Sequence, residues 1–562
     1  MVRFDTKRVE DILKFLIGIT LVILINIVAA RYFQRFDLTE EKRFTIKEPT
    51  KDMLRDLDDV VYVEVYLDGE LNARFKRLQQ AVRETLDEFR AYGGTKIQYT
   101  FNDPSLAMSQ KARNEFMRSL MAKGIQPTNI VEGEDGQRAE KIIFPGAVVS
   151  YGGLEAGVMF FKGTRPVIDD ERINQSIEGI EYELASAIGK LSNIERKRVG
   201  IMRGHGELDS LQMASLINAL VERYNVFYVN LDDRESLTNY DAMVIAKPTR
   251  PFSEQHKYKL DQYIMNGGKA MFLVDVLGAN MDSASVEYNF AFPYDLNLDD
   301  QLFRYGIRIN NDLVQDITSA AYPIVVGDLD GQPQINLLKW PFFPLVNRYA
   351  DHPIGKNLDA VYTKFISTLD TVKAEGVEKT PLMFTSDYSR ALTAPVKVYV
   401  NDLRKNAKPE MFNKRNLPLA YLLEGEFTSL YKNRFAPDGV STEEFKEQSQ
   451  PTKVIVVGDG DIAKNEVNPQ NNRPRQLGFD QYSQVTYANE DFLLNAMAYL
   501  LEDEGIITAR TKEIKVRPLD KVKISEEKAY WQFLNLGVPI LLILIYGLLR
   551  YYIRKNRYTS FN

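Results

Sequence analysis

The chain has 562 residues, a formal net charge of −6 and no cysteine. That length allows two or three domains, and the charge gives no reason to expect nucleic-acid binding. Disulfides, thiolate metal sites and a cysteine nucleophile are excluded outright.

Residues 1–14 are a basic stub carrying Arg3, Lys7, Arg8 and Lys14. Phe15–Ala30 holds no charge, and Ile12 and Leu13 lengthen the apolar run. We read 15–33 as a retained transmembrane helix, while Val28-Ala29-Ala30 also fits a signal cleavage site. A small α/β domain is expected over 36–165. Thr45 and Glu48 have capping-box spacing before a short helix, Pro49–Leu57. Val60–Leu67 alternates as a strand does, Phe75–Tyr92 is an amphipathic helix, and Lys96–Phe101 is a second strand. Ala107–Lys123 is another helix. Lys141–Val149 and Val158–Phe161 flank Ser150–Gly153 as a hairpin. The layout resembles a thioredoxin-like domain without a cysteine pair, so thiol redox chemistry is out.

Ile173–Leu191 should be a helix leading into a central α/β domain over 195–510. Its first part reads strand, helix, strand, strand, helix, strand. The strands are Arg198–Arg203, Asn225–Leu231, Tyr240–Ala246 and Lys269–Val276. Asp209 stands at an N-cap before a helix burying Met213, Ile217, Leu220, Val221 and Tyr224. Ser253 caps a second helix with Leu260, Tyr263 and Ile264 inward, closed by Gly267-Gly268. Apolar strands alternating with helices predict a doubly wound parallel sheet. Lys453–Gly458 is the fifth strand and Glu490–Leu501 a returning helix, which leaves about 280–450 as an insertion. Within it Leu302–Ile309, Thr363–Leu369, Val396–Val400 and Leu417–Glu424 read as strands. Leu338–Pro344 is an aromatic, proline-broken stretch that suits core packing or an exposed contact patch. Asn465–Gln484 should be a mobile loop.

Residues 511–528 form a basic stalk, 529–549 a second transmembrane helix, and 550–562 a tail with Arg550, Arg554, Lys555 and Arg557. Two basic short ends place both termini in the cytoplasm and the bulk across the membrane.

Parallel sheets hold their sites at the carboxyl ends of strands. The candidate ligand-binding residues are Gly204, His205, Gly206 and Glu207 after the first strand, Asp275 after the fourth, and Asp459 and Asp461 after the fifth. Lys247–Thr249, after the third, is a further candidate position. The acids with His205 and Glu207 could also hold a metal through oxygen; a tight turn with solvated side chains is the plainer reading of the Gly204–Glu207 loop. There is no G-x-G-x-x-G and no phosphate loop, so no nucleotide cofactor is expected. His256 and His352 lack metal-ligand spacing.

Gly204–Glu207, Phe252-Ser253-Glu254 and Lys257–Ile264 resemble the auxiliary, substrate-binding-like subunits of bacterial ABC transporters. Arg415–Ala420 (RNLPLA), Leu423–Tyr431 (LEGEFTSLY), Val457–Ala463 (VGDGDIA), Asp491–Leu500 and Arg517–Lys521 are similar to the gliding-motility-associated member of that family, found in Bacteroidetes. The resemblance implies an inner-membrane protein with a periplasmic bulk that partners an ABC permease and a separate ATPase. It also implies an amidotransferase-like central fold, related to a domain of intraflagellar transport proteins. Amidotransferases use a cysteine nucleophile, so no catalytic residue carries over and no enzyme activity is expected. A sugar-binding role is inferred for such domains, without residues to transfer. The expected function is a membrane-anchored accessory subunit binding a ligand or a partner protein. A structural, coupling role without a small-molecule ligand is the alternative, and homo-oligomerisation stays open.

Overall fold

The computed structural model describes residues 6–31, 45–104, 109–132, 139–161, 170–192, 196–284, 289–329, 332–404, 408–501, 505–511 and 525–559. The expected start of the small domain at 36–44 and residues 512–524 of the stalk lie outside them. The chain forms two compact units, 1–512 and 513–562.

In the first unit a four-stranded sheet runs in the order Ile97–Phe101, Val61–Val65, Gly146–Tyr151, Leu154–Met159. The first pair is parallel and the other two are antiparallel. Helix Ala73–Gly93 lays Phe75, Leu78, Val82, Leu86 and Phe89 on it, all fully buried. That spacing of three and four residues is one face of a helix. Helix Asp170–Ser192 joins the same core through Ile173, Ile180, Leu184 and Ile188. The capping box expected at Thr45 is not used. The helix begins at Glu48 with Lys47 as its N-cap. Glu181, from the distant helix, accepts from the Lys47 amide at 2.7 Å and the Thr50 hydroxyl at 3.0 Å. A buried carboxylate thus satisfies an end that a local side chain was expected to satisfy.

The central sheet has eight strands in the order Arg348–Tyr349, Val377–Phe384, Pro418–Gly425, Thr452–Val457, Lys269–Leu273, Ala242–Ala246, Arg198–Arg203, Asn225–Asn230. The last five are mutually parallel. The first three run antiparallel and come from the expected insertion, which therefore completes the sheet. Alternate residues of one strand enter two cores. Ala270 and Phe272 join Leu260, Tyr263 and Ile264 on one face. Met271 and Leu273 join Leu216, Leu220, Phe492, Leu493 and Met497 on the other. Each such large apolar side chain contributes about 1.5–3 kcal/mol by leaving water.

Several local expectations fail here for visible reasons. Leu302–Ile309 is split: Asp299–Tyr305 is helical and Ile307–Ile309 is a strand, with left-handed Gly306 (φ +105°) between them. Val221 ends its helix and is exposed, not buried. Prolines do not break Leu338–Pro344, which lies in the long strand Gln332–Val346. Trp340, Phe342 and Phe343 of that stretch are buried, whereas Leu337 beside it is exposed. The 465–484 segment is pinned: Asn465 bonds the Ser215 amide and the Leu211 carbonyl, and Leu477 is buried.

Near the N-terminus Thr6–Arg31 is helical, and the side chains described in its apolar part, Leu13–Asn26, are exposed. In the second unit Lys528–Asn556 is long and apolar enough to cross a membrane. Its apolar side chains are exposed along its length, with Tyr530 and Trp531 near one end and Tyr551 and Tyr552 near the other.

Candidate functional site

Four parallel strands end at one edge of the sheet, and the candidate residues follow them there. They form two clusters joined by the segment Lys247–Arg250.

The first cluster is built on the turn after Arg198–Arg203. Gly204 (φ +122°) and Gly206 (φ +76°) adopt conformations that a side chain resists. A Cβ on Gly206 would also run into the Thr249 hydroxyl. The amides of Thr249 and Arg250 donate to the His205 carbonyl at 2.9 and 2.8 Å. The turn thus drives the His205 ring inward, where it stacks on Phe252 with centroids 3.7 Å apart and planes 5° apart. His205 Nδ1 lies 3.1 Å from Glu207 Oε1, and its backbone amide donates to Glu207 Oε2 at 2.7 Å. Its Nε2 lies 2.9 Å from Nδ1 of His256. The other ring nitrogen of His256 lies 2.9 Å from Asp232 Oδ1. Ser253 caps the helix that carries His256, its hydroxyl oxygen accepting from the His256 amide at 3.2 Å.

Four side chains thus form a line: Glu207, His205, His256, Asp232. Its two ends differ. The Glu207 side chain is 2% exposed and that of Asp232 is 71% exposed. Three contacts need three protons, while two neutral imidazoles supply two. A neutral pair therefore leaves one contact without a hydrogen. Water can replace a partner at Asp232 but not at Glu207. This fixes both histidines as Nδ1–H tautomers, with His205 donating to Glu207 and His256 donating to His205. A third proton belongs on His256 Nε2, facing Asp232. Burial lowers the His256 pKa, and the neighbouring His205 and Lys259 add to the depression against the pull of Asp232. Burial alone would raise Glu207, but the His205 ring and backbone amides hold it below the usual carboxylate range.

The second cluster centres on Lys247, whose backbone is left-handed at φ +56°. Its ammonium lies 2.9 Å from Asp275 Oδ2 and 2.5 Å from Asp461 Oδ2. The Gly460 amide donates to Asp275 Oδ1 at 2.5 Å. Asp459 accepts from the amides of Asp461 at 2.7 Å and Lys364 at 2.9 Å. A Cβ on Gly460 would stand 2.5 Å from that of Lys247, so the close packing requires glycine. Burial raises Asp459 well above the usual range and raises Asp275 as well. Burial would do the same to Asp461, but Lys247, Lys364 and Lys464 bring it below.

The structure does not bring all seven candidates around one ligand. His205 and Glu207 belong to the relay, and the three aspartates belong to the lysine clamp. The oxygen-rich metal site does not form: Lys247 fills the place of a cation between Asp275 and Asp461. No group of three metal-ligating side chains suited to an ion occurs among the described residues. Sequence reasoning passed over His256 and Asp232, which sit 51 and 27 positions from His205. It placed Lys247 among the strand-end candidates but did not foresee it between Asp275 and Asp461.

A family model described as an ABC-type uncharacterized transport system matches residues 196–496, more than half of the chain and the part that holds both clusters. A domain of unknown function, DUF7088, matches 40–150. A relative from Borreliella burgdorferi, described as an uncharacterized protein, is 22% identical across 97% of this chain and 98% of its own length. Among solved structures, the mmIFT52 N-terminal domain aligns with a TM-score of 0.31 at 14% identity, over 54% of this chain and 97% of that one. On the family match, the chain belongs to the auxiliary proteins of the ABC-type uncharacterized transport system family.

Proposed function

We propose that the chain is a membrane-anchored accessory subunit of an ABC transporter, working beside a permease and a separate ATPase. The family match across 196–496 carries this reading. The exposed apolar helix Lys528–Asn556 supports a fixed place in the membrane, since such a surface calls for lipid or partner helices. Anchoring holds the large domain at high local concentration beside its partners, so weak contacts suffice. In this reading both termini are cytoplasmic, the bulk is periplasmic, and the protein binds a ligand or partner there rather than catalysing a reaction. A thioredoxin-like N-terminal domain and an amidotransferase-like central one remain the fold assignments we favour. The tie to gliding motility rests on the motif resemblance at 415–431 and 457–463.

Affinity purification from membranes in mild detergent tests the proposal. Co-purification of a polytopic permease and a phosphate-loop ATPase is expected. Recovery of motility or secretion proteins without them would favour a structural, coupling role instead.

A further inference from the structure

The central sheet ends at the strand Asn225–Asn230, which pairs with Arg198–Arg203 on one side and with no strand on the other among the described residues. The Asn225 amide donates to the Lys197 carbonyl at 2.9 Å. Backbone groups of every second residue face the same neighbour, so Asn225, Phe227 and Val229 turn inward while Val226, Tyr228 and Asn230 turn outward. The outward N–H and C=O of Val226 and Tyr228 have no hydrogen-bond partner among the described residues. Natural sheets blunt such an edge with lysine, proline, a bulge or an inward charge. The stretch NVFYVN carries none of these, and its register with the neighbouring strand is unbroken. Phe227 and Tyr228 are both exposed, one on each face of the strand. The Arg198 guanidinium stands 5.0 Å over the Phe227 ring and that of Arg203 3.5 Å over the Tyr228 ring. Both rings are therefore held in place before a partner arrives, which lowers the entropy cost of pairing.

The two ends of this edge carry opposite charge. Arg196 and Lys197 stand beside its start, where the Asn225 side chain donates to the Arg196 carbonyl at 3.3 Å. Asp232 and Asp233 follow its end. Arg196 reaches only the Val221 carbonyl, and Asp233 has no ion-pair partner among the described residues. The neighbouring charges are spent: Glu222 pairs with Lys190 at 3.0 Å, Arg223 bonds Tyr182, and Arg234 and Glu235 offset each other. An antiparallel copy of the strand sets each end against the opposite one, cation to anion. A parallel copy would set like charges together. The antiparallel arrangement is isologous, with a two-fold axis perpendicular to the sheet, so one residue faces its own copy. Centred on Phe227, it pairs Val226 of each chain with Tyr228 of the other. Those are the residues whose groups point outward, and each pair exchanges both N–H···O bonds. Phe227 then meets its own copy in a non-hydrogen-bonded pair, with Cα atoms about 4.5 Å apart.

We propose that Asn225–Asn230 is a dimer contact, an antiparallel edge-to-edge pairing with a second copy of this chain centred on Phe227. The inference goes beyond the transport reading and does not rest on it. One strand pair is a small interface, so the test is made on the full chain in membranes, where local concentration is high. The chain has no cysteine, so a single introduced one reports alone. Phe227→Cys, oxidised with copper phenanthroline, should give a disulfide-linked dimer, because the paired Cα atoms lie within disulfide reach. Asn225→Cys should give at least tenfold less, because its two copies are offset by four residues, about 13 Å. Tyr228→Pro should cut the Phe227→Cys yield at least tenfold, since it removes an outward N–H and no bond within the chain. Arg196→Glu should lower that yield severalfold, and adding Asp233→Lys should restore it. Neither residue lies in the strand, so the rescue separates lost pairing from a damaged fold. Cross-linking at Phe227→Cys no greater than at Asn225→Cys overturns the inference. So does linkage to a different protein in place of a second copy, or a yield indifferent to both Tyr228→Pro and the charge reversal.

Discussion

Replacing His256 with alanine tests the direction of the histidine relay. The change removes the partner of His205 Nε2, on a residue only 3% exposed. A buried acceptor left unpaired costs about 1–3 kcal/mol. The same change frees Asp232, but that side chain is mostly in water and its loss costs little. Asp232→Ala should therefore stay within about 0.5 kcal/mol of the parent. His205→Ala should cost most, about 3 kcal/mol or more, because it strips the Phe252 stack and leaves the buried Glu207 carboxylate without its ring partner. The expected order of loss is Asp232, then His256, then His205, measured as shifts in the urea midpoint of the detergent-solubilised chain. Acidity adds a second axis. Glu207 and His256 both have folded values below their unfolded ones, so the unfolded chain binds more protons and stability falls as pH drops. The His256 part is lost as pH falls below 6.5, and the Glu207 part below 4.5. His256→Ala should flatten the upper part of the slope and keep the lower. Nitrogen-15 spectra at neutral pH should show both imidazoles as Nδ1–H tautomers. Equal losses for Asp232→Ala and His256→Ala, or an Nε2–H tautomer at His205, would refute the argument.

Lys247→Met should cost about 3–5 kcal/mol in chemical unfolding, because Asp275 and Asp461 lose the charge between them. Gly460→Ala should cost about 1–3 kcal/mol, since its methyl would press on Lys247; a neutral result would mean the two loops part easily. Gly179→Ala should raise stability by about 0.5–1 kcal/mol, because the helix gains and nothing is crowded. A cysteine placed at Ser560 should resist a membrane-impermeant maleimide in intact cells; labelling from outside would contradict a cytoplasmic C-terminus.

What the sequence disclosed was governed by range. Arg198–Arg203 is a strand at the residues expected, because an apolar run and the glycine after it are local signals. Gly267-Gly268 likewise closes its helix, with the Gly268 amide reaching the Tyr263 carbonyl at 2.9 Å. Leu417–Glu424 was legible as a strand, but its seat beside Thr452–Val457 depends on pairs such as Ala420 with Val457. No periodicity encodes such a pairing. Gly306 was a missed signal: a glycine four residues after Leu302 marks a helix end better than a strand interior. The candidate turn at Gly204–Glu207 was found for its position and its glycines. The relay was not, because His256 reads as an ordinary helix residue until the fold sets it beside His205. Lys247 was legible as a strand-end candidate, but its left-handed backbone and its place between Asp275 and Asp461 were not, because nothing local announces them.

The place of Thr452–Val457 has a consequence for biosynthesis. This strand pairs with Lys269–Leu273 on one side and Pro418–Gly425 on the other. A ribosome delivers it only after some 180 further residues have followed Leu273. Until then the nascent sheet has an open edge along Lys269–Leu273, whose backbone groups lack their later partners in Thr452–Val457. Contacts of such separation close slowly, and exposed strand edges invite aggregation meanwhile. Synthesis stalled or truncated between 280 and 450 should thus yield a product that chaperones or proteases capture, not a stable half-domain.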